Sequence, residues 1–199
     1  MKKVIFGLIA TAFISFYSTA QTSSKDWLKM IENYKSSVTS VLSKECPKGM
    51  DVEKFRTSLI LGENKLSSNG IAEITKLNSP LINYGKEFAT KHKLELVDEA
   101  SLIFYSSFSP DIVISNGELI GAKVGASGPG LTWAEVGNCA LIALGADAAW
   151  AWAAGSGTSW SMAALTTTFT GVAKRFLGPI GVGIAVGSFS YCLYQSYYN

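Results

Sequence analysis

Apolar residues recur every three or four positions in the front part of the chain, which is the spacing of a helix with one buried face. Ser23, with Asp26 three residues on, resembles a capping box before the first such stripe, and Pro47 and Gly49 end it. The stripe consists of Trp27, Met30, Ile31, Tyr34, Val38, Val41 and Leu42. The pattern therefore predicts a long amphipathic helix near the start of the chain.

Further start signals predict three more helices before residue 109. Asp51 would cap the second helix, and Ser79-Pro80 resembles an N-cap followed by proline at the first position of the third. Residues 98–108 predict a fourth helix, although their aromatic content also permits a strand. In residues 112–124 the pair Asn116-Gly117 favours a hairpin with a type I′ turn, and an irregular segment is the alternative.

Three apolar segments rich in glycine and alanine follow, at residues 139–154, 160–173 and 176–194. Their short links favour antiparallel neighbours. We therefore expect a mainly α fold: an N-terminal helical domain followed by a Gly/Ala-rich three-helix apolar C-terminal bundle, with a short β-hairpin between them. The first two segments would reach only about 21–24 Å, whereas the third comes close to the ~30 Å of a bilayer core.

Charge divides the chain near the same place. Residues 21–130 hold 13 acidic and 13 basic residues, whereas residues 131–199 hold only Glu135, Asp147, Lys174 and Arg175. The change follows a glycine-rich stretch at residues 125–130, which is typical of a linker. The predicted organisation is a signal peptide at 1–20, a charged amphipathic helical domain at 21–108, a hairpin or linker at 109–130 and a glycine-rich hydrophobic helical region at 131–199.

The start of the chain has the layout of a secretory signal peptide. Lys2 and Lys3 precede an apolar stretch at residues 4–16, and small residues precede a cleavage site after Ala20. An uncleaved anchor helix is the alternative, but the stretch is short for a membrane span. Cleavage would leave 15 basic against 15 acidic residues, so charge gives no reason to expect a nucleic acid partner. We expect an exported protein of the extracellular space or the cell envelope.

The cysteines agree with an oxidising compartment. Of Cys46, Cys139 and Cys192, the last two bracket the glycine-rich region, and we expect them to form a disulfide. The alternative is three buried thiols, because free cysteine is often buried.

Glycines near the end of the chain are expected to be helix-packing positions. Gly183 and Gly187 form G-x-x-x-G, with Gly181 close by, and a glycine lets another helix backbone approach. Each costs about 1 kcal/mol in helix propensity relative to alanine, so packing or lipid must offset the loss. The facing surface is a membrane, a partner helix or an ordinary soluble core.

Candidate chemistry is sparse. A turn near Gly157 would bring Asp147 level with Thr167, where the hydroxyls of Thr166, Thr167 and Thr168 could satisfy a buried carboxylate; otherwise Asp147 points into water. His92, the single histidine, is interpreted as a solvated residue at a helix end. The sequence contains no motif for nucleophilic catalysis, phosphate binding or metal binding, so we expect no enzyme and no cofactor.

Residues 138–199 resemble the mature region of glycine-rich class II bacteriocins of the cerein and lactobin type. They share a cysteine near each end of an apolar Gly/Ala-rich run, a central turn and small-x-x-x-small spacing. The resemblance implies a secreted, membrane-active protein whose C-terminal helices insert into or pack at a membrane. The chain departs from that family in having residues 21–130 and in a tail that is not cationic.

A second hypothesis assigns no membrane-disrupting activity to the chain. The chain would then be a non-enzymatic structural or interaction protein of the cell envelope, anchored or oligomerised through the same C-terminal helices. The expected partners are accordingly membrane lipid, a partner helix or a second copy of the chain.

Overall fold

The computed structural model describes residues 22–115, 118–120, 131–145 and 161–198. These ranges are mainly helical, which confirms the predicted fold class, and the signal peptide predicted at 1–20 lies outside them. Their helices and strands are α1 Ser24–Glu45, α2 Val52–Leu61, α3 Ser68–His92, α4 Glu99–Tyr105, β1 Val113–Ser115, β2 Glu118–Ile120, α5 Trp133–Leu144, α6 Met162–Leu177 and α7 Pro179–Tyr198.

Side-chain caps fix the starts of three helices where the sequence predicts them. The Ser23 hydroxyl accepts the Asp26 amide at the start of α1, and the Asp51 carboxylate accepts two amides at the start of α2. The Asp98 carboxylate accepts the Ser101 amide and so begins α4, which confirms a helix rather than a strand there. Each cap satisfies an amide that has no partner inside its helix.

The third helix corrects the prediction at Ser79-Pro80. Its N-cap is Ser67, and the helix runs through Pro80 without ending. Proline in a helix interior removes one hydrogen bond and costs about 3 kcal/mol. The helix continues because Ile74 before the proline and Leu81 after it are both fully buried on the same face, while Pro80 itself is exposed. Packing of this apolar face outweighs the local stop signal.

The two strands confirm the hairpin. They pair antiparallel, with Ser115 opposite Glu118 and Val113 opposite Ile120, so in sequence only Asn116 and Gly117 separate the two strands. The conformation of that connection, and with it the predicted turn type, lies outside the described residues.

The first apolar segment differs from the prediction in both bounds. Thr132 and Glu135 form a reciprocal capping box, which starts α5 at Trp133, before the predicted residue 139. The helix ends at Leu144 because Gly145 takes a φ of 87°, a conformation that favours glycine. A continuous helix over 139–154 is therefore wrong. Residues 146–160 lie outside the described part of the chain.

The last helix, α7, lies at the centre of the packing. It contacts α5 and α6, as the predicted three-helix region requires, and it also contacts α1, α3 and α4 from the front half. Phenylalanines from both halves meet around it, with ring centroids 4.8–6.0 Å apart; they are Phe104, Phe108, Phe169 and Phe189. The predicted division at residue 130 stays a prediction, but helices on its two sides share one hydrophobic core.

Candidate functional site

Gly183 is packed against a buried hydrogen bond of the front half. The Tyr34 hydroxyl of α1 donates to the Asn78 side-chain oxygen of α3 at 2.8 Å, and both residues are buried. A Cβ at Gly183 would lie 2.5 Å from that Asn78 oxygen and would overlap the Tyr34 hydroxyl as well. Burial raises the pKa of Tyr34, so its hydroxyl stays protonated and keeps donating. The glycine is therefore required for α7 to fit between α1 and α3.

The other two predicted packing glycines differ from each other. A Cβ at Gly181 would overlap the backbone oxygen of Ala173, so α6 and α7 approach too closely there for a side chain. A Cβ at Gly187 would lie 3.5 Å from the Lys35 Cβ, which is an ordinary contact. Close approach thus explains Gly181 and Gly183 but leaves Gly187 replaceable. A cation–π contact, with the Lys35 ammonium 4.2 Å from the Tyr191 ring centre, also joins α1 to α7.

The apolar helix α7 is buried in the fold. Every residue from 181 to 187 is buried. No single described helix is long and apolar enough to cross a membrane, but α6 and α7, which meet at 119°, pass the length and hydropathy test as a bent pair. Mostly buried core helices of soluble proteins have the same length and hydropathy.

The predicted disulfide is present. Cys139 of α5 and Cys192 of α7 are bonded, with their Cα atoms 5.5 Å apart, a usual separation for a disulfide. Cys46 is a free thiol that donates to the Met50 carbonyl. The bond joins two helices of the apolar region, so it holds α7 against α5.

Arg56 makes a contact between the two halves that the sequence did not predict. Its guanidinium donates to the Ala143 carbonyl at the end of α5 at 2.6 Å and to the Glu53 carboxylate at 2.7 Å. The residue is only 8% exposed. The cation satisfies a carbonyl at the helix end, where positive charge is favourable. The sequence held one signal for this contact, because Arg56 directly follows Phe55, a buried residue of α2.

A second ionic contact joins α6 to the start of α4. The Lys174 ammonium donates to the Asp98 carboxylate at 2.9 Å. Burial alone would raise the pKa of Asp98, but the hydrogen bonds from Lys174 and Ser101 outweigh it and hold the pKa below its ordinary value. Both side chains are partly exposed, so the pair itself contributes little to stability.

The buried polar position predicted at Thr167 is wrong. Thr167 is exposed on α6, and the hydroxyls buried on this helix belong to Thr166 and Thr170. Each donates to the backbone carbonyl four residues earlier, so both are satisfied within their own helix. The other proposed partner, Asp147, lies outside the described residues.

His92 is not the solvated residue that the sequence suggested. Its Nδ1 lies 3.1 Å from the Ile114 carbonyl oxygen and 3.3 Å from the Ile114 amide, and its ring packs 4.4 Å from that of Phe88. Burial lowers its pKa, and the charge of Lys91 lowers it further, although a hydrogen bond to the Ile114 carbonyl oxygen acts in the opposite direction. The imidazole is therefore a neutral contact between α3 and β1.

A cavity of about 450 Å³ lies beside His92. It is bounded by the end of α3, by the following residues 94–97, by β1 and by the first turns of α6. Three separate segments of the chain thus form these walls, and hydrophobic and polar groups both line the cavity.

Comparison of the chain with protein-family models, with curated proteins and with solved structures finds no match.

Proposed function

We propose that the protein is a non-enzymatic structural or interaction protein of the cell envelope that acts as one folded helical body. The observation that carries the proposal is the fit of Gly183 on the Tyr34–Asn78 hydrogen bond. It gives the glycine-rich helix a surface inside its own chain, which removes the main reason for assigning that helix to a membrane or to another protein.

The energy of releasing α7 supports the same proposal. Its fully buried apolar side chains include Val182, Ile184, Val186, Phe189 and Leu193. Exposing a side chain of this size costs about 1.5–3 kcal/mol, so the group represents roughly 10 kcal/mol. A whole domain is stable by only about 5–15 kcal/mol. Releasing α7 into water would therefore amount to unfolding the protein.

The bacteriocin-like, membrane-active function is the second candidate. The bent pair of α6 and α7 favours it, because the two helices together have the length and hydropathy to enter a bilayer. In that case the front half would shield the pair until a membrane is reached.

Dye leakage from vesicles separates the two candidates. Oxidised full chain at micromolar concentration is added to dye-loaded anionic and zwitterionic vesicles, and amide hydrogen exchange of α7 is followed in the same samples. We expect no leakage, and we expect α7 to exchange as slowly with vesicles as without them. Leakage together with loss of protection in α7 would overturn the proposal in favour of the second candidate.

Fractionation of the producing cells tests the location. A protein recovered in the envelope fraction, and released by a carbonate wash, agrees with a folded body that associates through its surface. Retention in carbonate-washed membranes would show that the chain is embedded and would contradict the proposal.

A further inference from the structure

The cavity beside His92 has an apolar wall and a positively charged rim. Leu94, Val97, Ile114 and Ala163 line it from three different segments of the chain. Its volume, about 450 Å³, falls in the ordinary range for small-molecule sites. Such sites combine an apolar surface for the body of a ligand with a few polar groups that orient it.

Among the described residues, the charged groups that line the cavity are two lysines and one acid. The Lys91 ammonium donates to the Pro110 carbonyl at 3.1 Å, which holds it in place. No described residue pairs with the ammonium of Lys93. Glu95 is the acid, and the neutral His92 lies between the two lysines in sequence. The rim therefore carries a net positive charge.

The backbone conformation of Lys93 is unfavourable for a residue that has a side chain. It ends α3 with a φ of 53°, and it is the one non-glycine residue with positive φ in the described ranges. At the corresponding position α2 ends on Gly62 with a φ of 77°. Glycine usually occupies this position, because any other L-residue is strained there. Lys93 therefore carries its ammonium at the rim of the cavity from a position where glycine would be less strained.

We propose that this cavity binds a small amphiphilic anion, with its negative group at Lys93 and Lys91 and its apolar body against Leu94, Val97, Ile114 and Ala163. The inference rests on the proposed function only in requiring a folded chain. Coulomb attraction would orient the anion, and removal of its apolar part from water would supply most of the affinity.

A matched pair of fluorescent probes tests the site without lipid. The anionic probe is 8-anilinonaphthalene-1-sulfonate, and N-phenyl-1-naphthylamine has the same ring system without the sulfonate. Each is titrated into the oxidised full chain and into two variants. Lys93→Gly removes the charge and relieves the backbone, whereas Ala163→Trp fills the cavity.

Lys93→Gly should separate binding from stability. We expect its affinity for the sulfonate probe to fall roughly tenfold, as for loss of one charge-assisted contact. Its affinity for the neutral probe should not change, and its melting temperature should rise by about 2–4 °C as the strain is removed. Ala163→Trp should abolish saturable binding of both probes.

Equal affinity of wild type and Lys93→Gly for the sulfonate probe would overturn the proposal, as would the absence of saturable binding to the wild-type chain. Unchanged binding in Ala163→Trp would place the probe elsewhere and would also refute it. The probe titrations do not depend on the vesicle-leakage assay. A failed titration would not contradict the proposed function, and leakage from vesicles would not change how the titrations are interpreted.

Discussion

Replacing Gly183 with alanine should destabilise the protein although alanine is the better helix former. The added Cβ would lie 2.5 Å from the Asn78 oxygen, about 1 Å closer than an ordinary contact. Overpacking of this kind costs about 1–3 kcal/mol, and breaking the Tyr34–Asn78 hydrogen bond in a buried place costs about 1–3 kcal/mol more. The gain in helix propensity is about 1 kcal/mol. The expected net loss in the free energy of unfolding is therefore about 3 kcal/mol.

Gly187→Ala is the matched control, because it lies one turn further along the same helix. Its Cβ would make only an ordinary 3.5 Å contact with Lys35, so the propensity gain of about 1 kcal/mol should remain. Urea unfolding of both full-chain variants, followed by tryptophan fluorescence and far-UV circular dichroism, measures the two changes. We expect them to have opposite signs.

Equal changes in the two variants would refute this reasoning, because they would mean that α7 does not meet α1 and α3 as described. A double-mutant cycle sharpens the test. In a Tyr34→Phe background one of the two overlapping oxygens is absent, so Gly183→Ala should cost less than it does in the wild-type chain. A cost that does not depend on Tyr34 would exclude the overlap as its cause.

Three other predictions concern the helices and their links. Replacing Cys139 and Cys192 together with alanine should lower the free energy of unfolding by about 2–4 kcal/mol, measured by urea unfolding against the oxidised wild type, because the bond closes a loop across a separation of 53 residues. Pro80→Ala should raise the melting temperature, since it restores an interior helix hydrogen bond at an exposed position and gains about 2 kcal/mol. Asp98→Ala should cost about 1 kcal/mol at pH 7 through loss of the cap. Because the folded pKa of Asp98 is lowered, its contribution is present above the unfolded pKa and is lost as pH falls through the folded one, so the difference between wild type and variant in unfolding measurements should shrink as the solution is acidified through that range.

Local chemistry accounts for most of what the sequence predicted. Ser23, Asp51 and Asp98 cap helices with their own side chains, and a cap acts over three residues, so its effect is visible in the sequence. The disulfide was also predictable, because the two cysteines bracket the glycine-rich region of a chain for which the sequence predicts export.

The incorrect and missed predictions mainly concern features that depend on packing between parts of the chain. A proline can stand in the first turn of a helix or interrupt a longer one, and the local sequence around Pro80 does not distinguish the two cases. Only the burial of Ile74 and Leu81 on either side shows that the helix continues. Thr132 and Glu135 have the spacing of a capping box, so the start of α5 could have been predicted. The prediction instead followed the apolar segment that comes after them. The cavity beside His92 could not be predicted, because it forms only where residues 91–97, β1 and the start of α6 come together in the fold.

The central place of α7 has a consequence for how the chain is made. Synthesis runs from the amino end, so every described helix that packs around α7 leaves the ribosome before α7 does. Until then Tyr34 and Asn78 have no Gly183 to close over them, and Cys139 has no Cys192 to bond. Contacts between residues far apart in sequence form slowly, because the intervening chain must first be ordered. The contacts that join the two halves of the chain through α7 are therefore the last ones that can form.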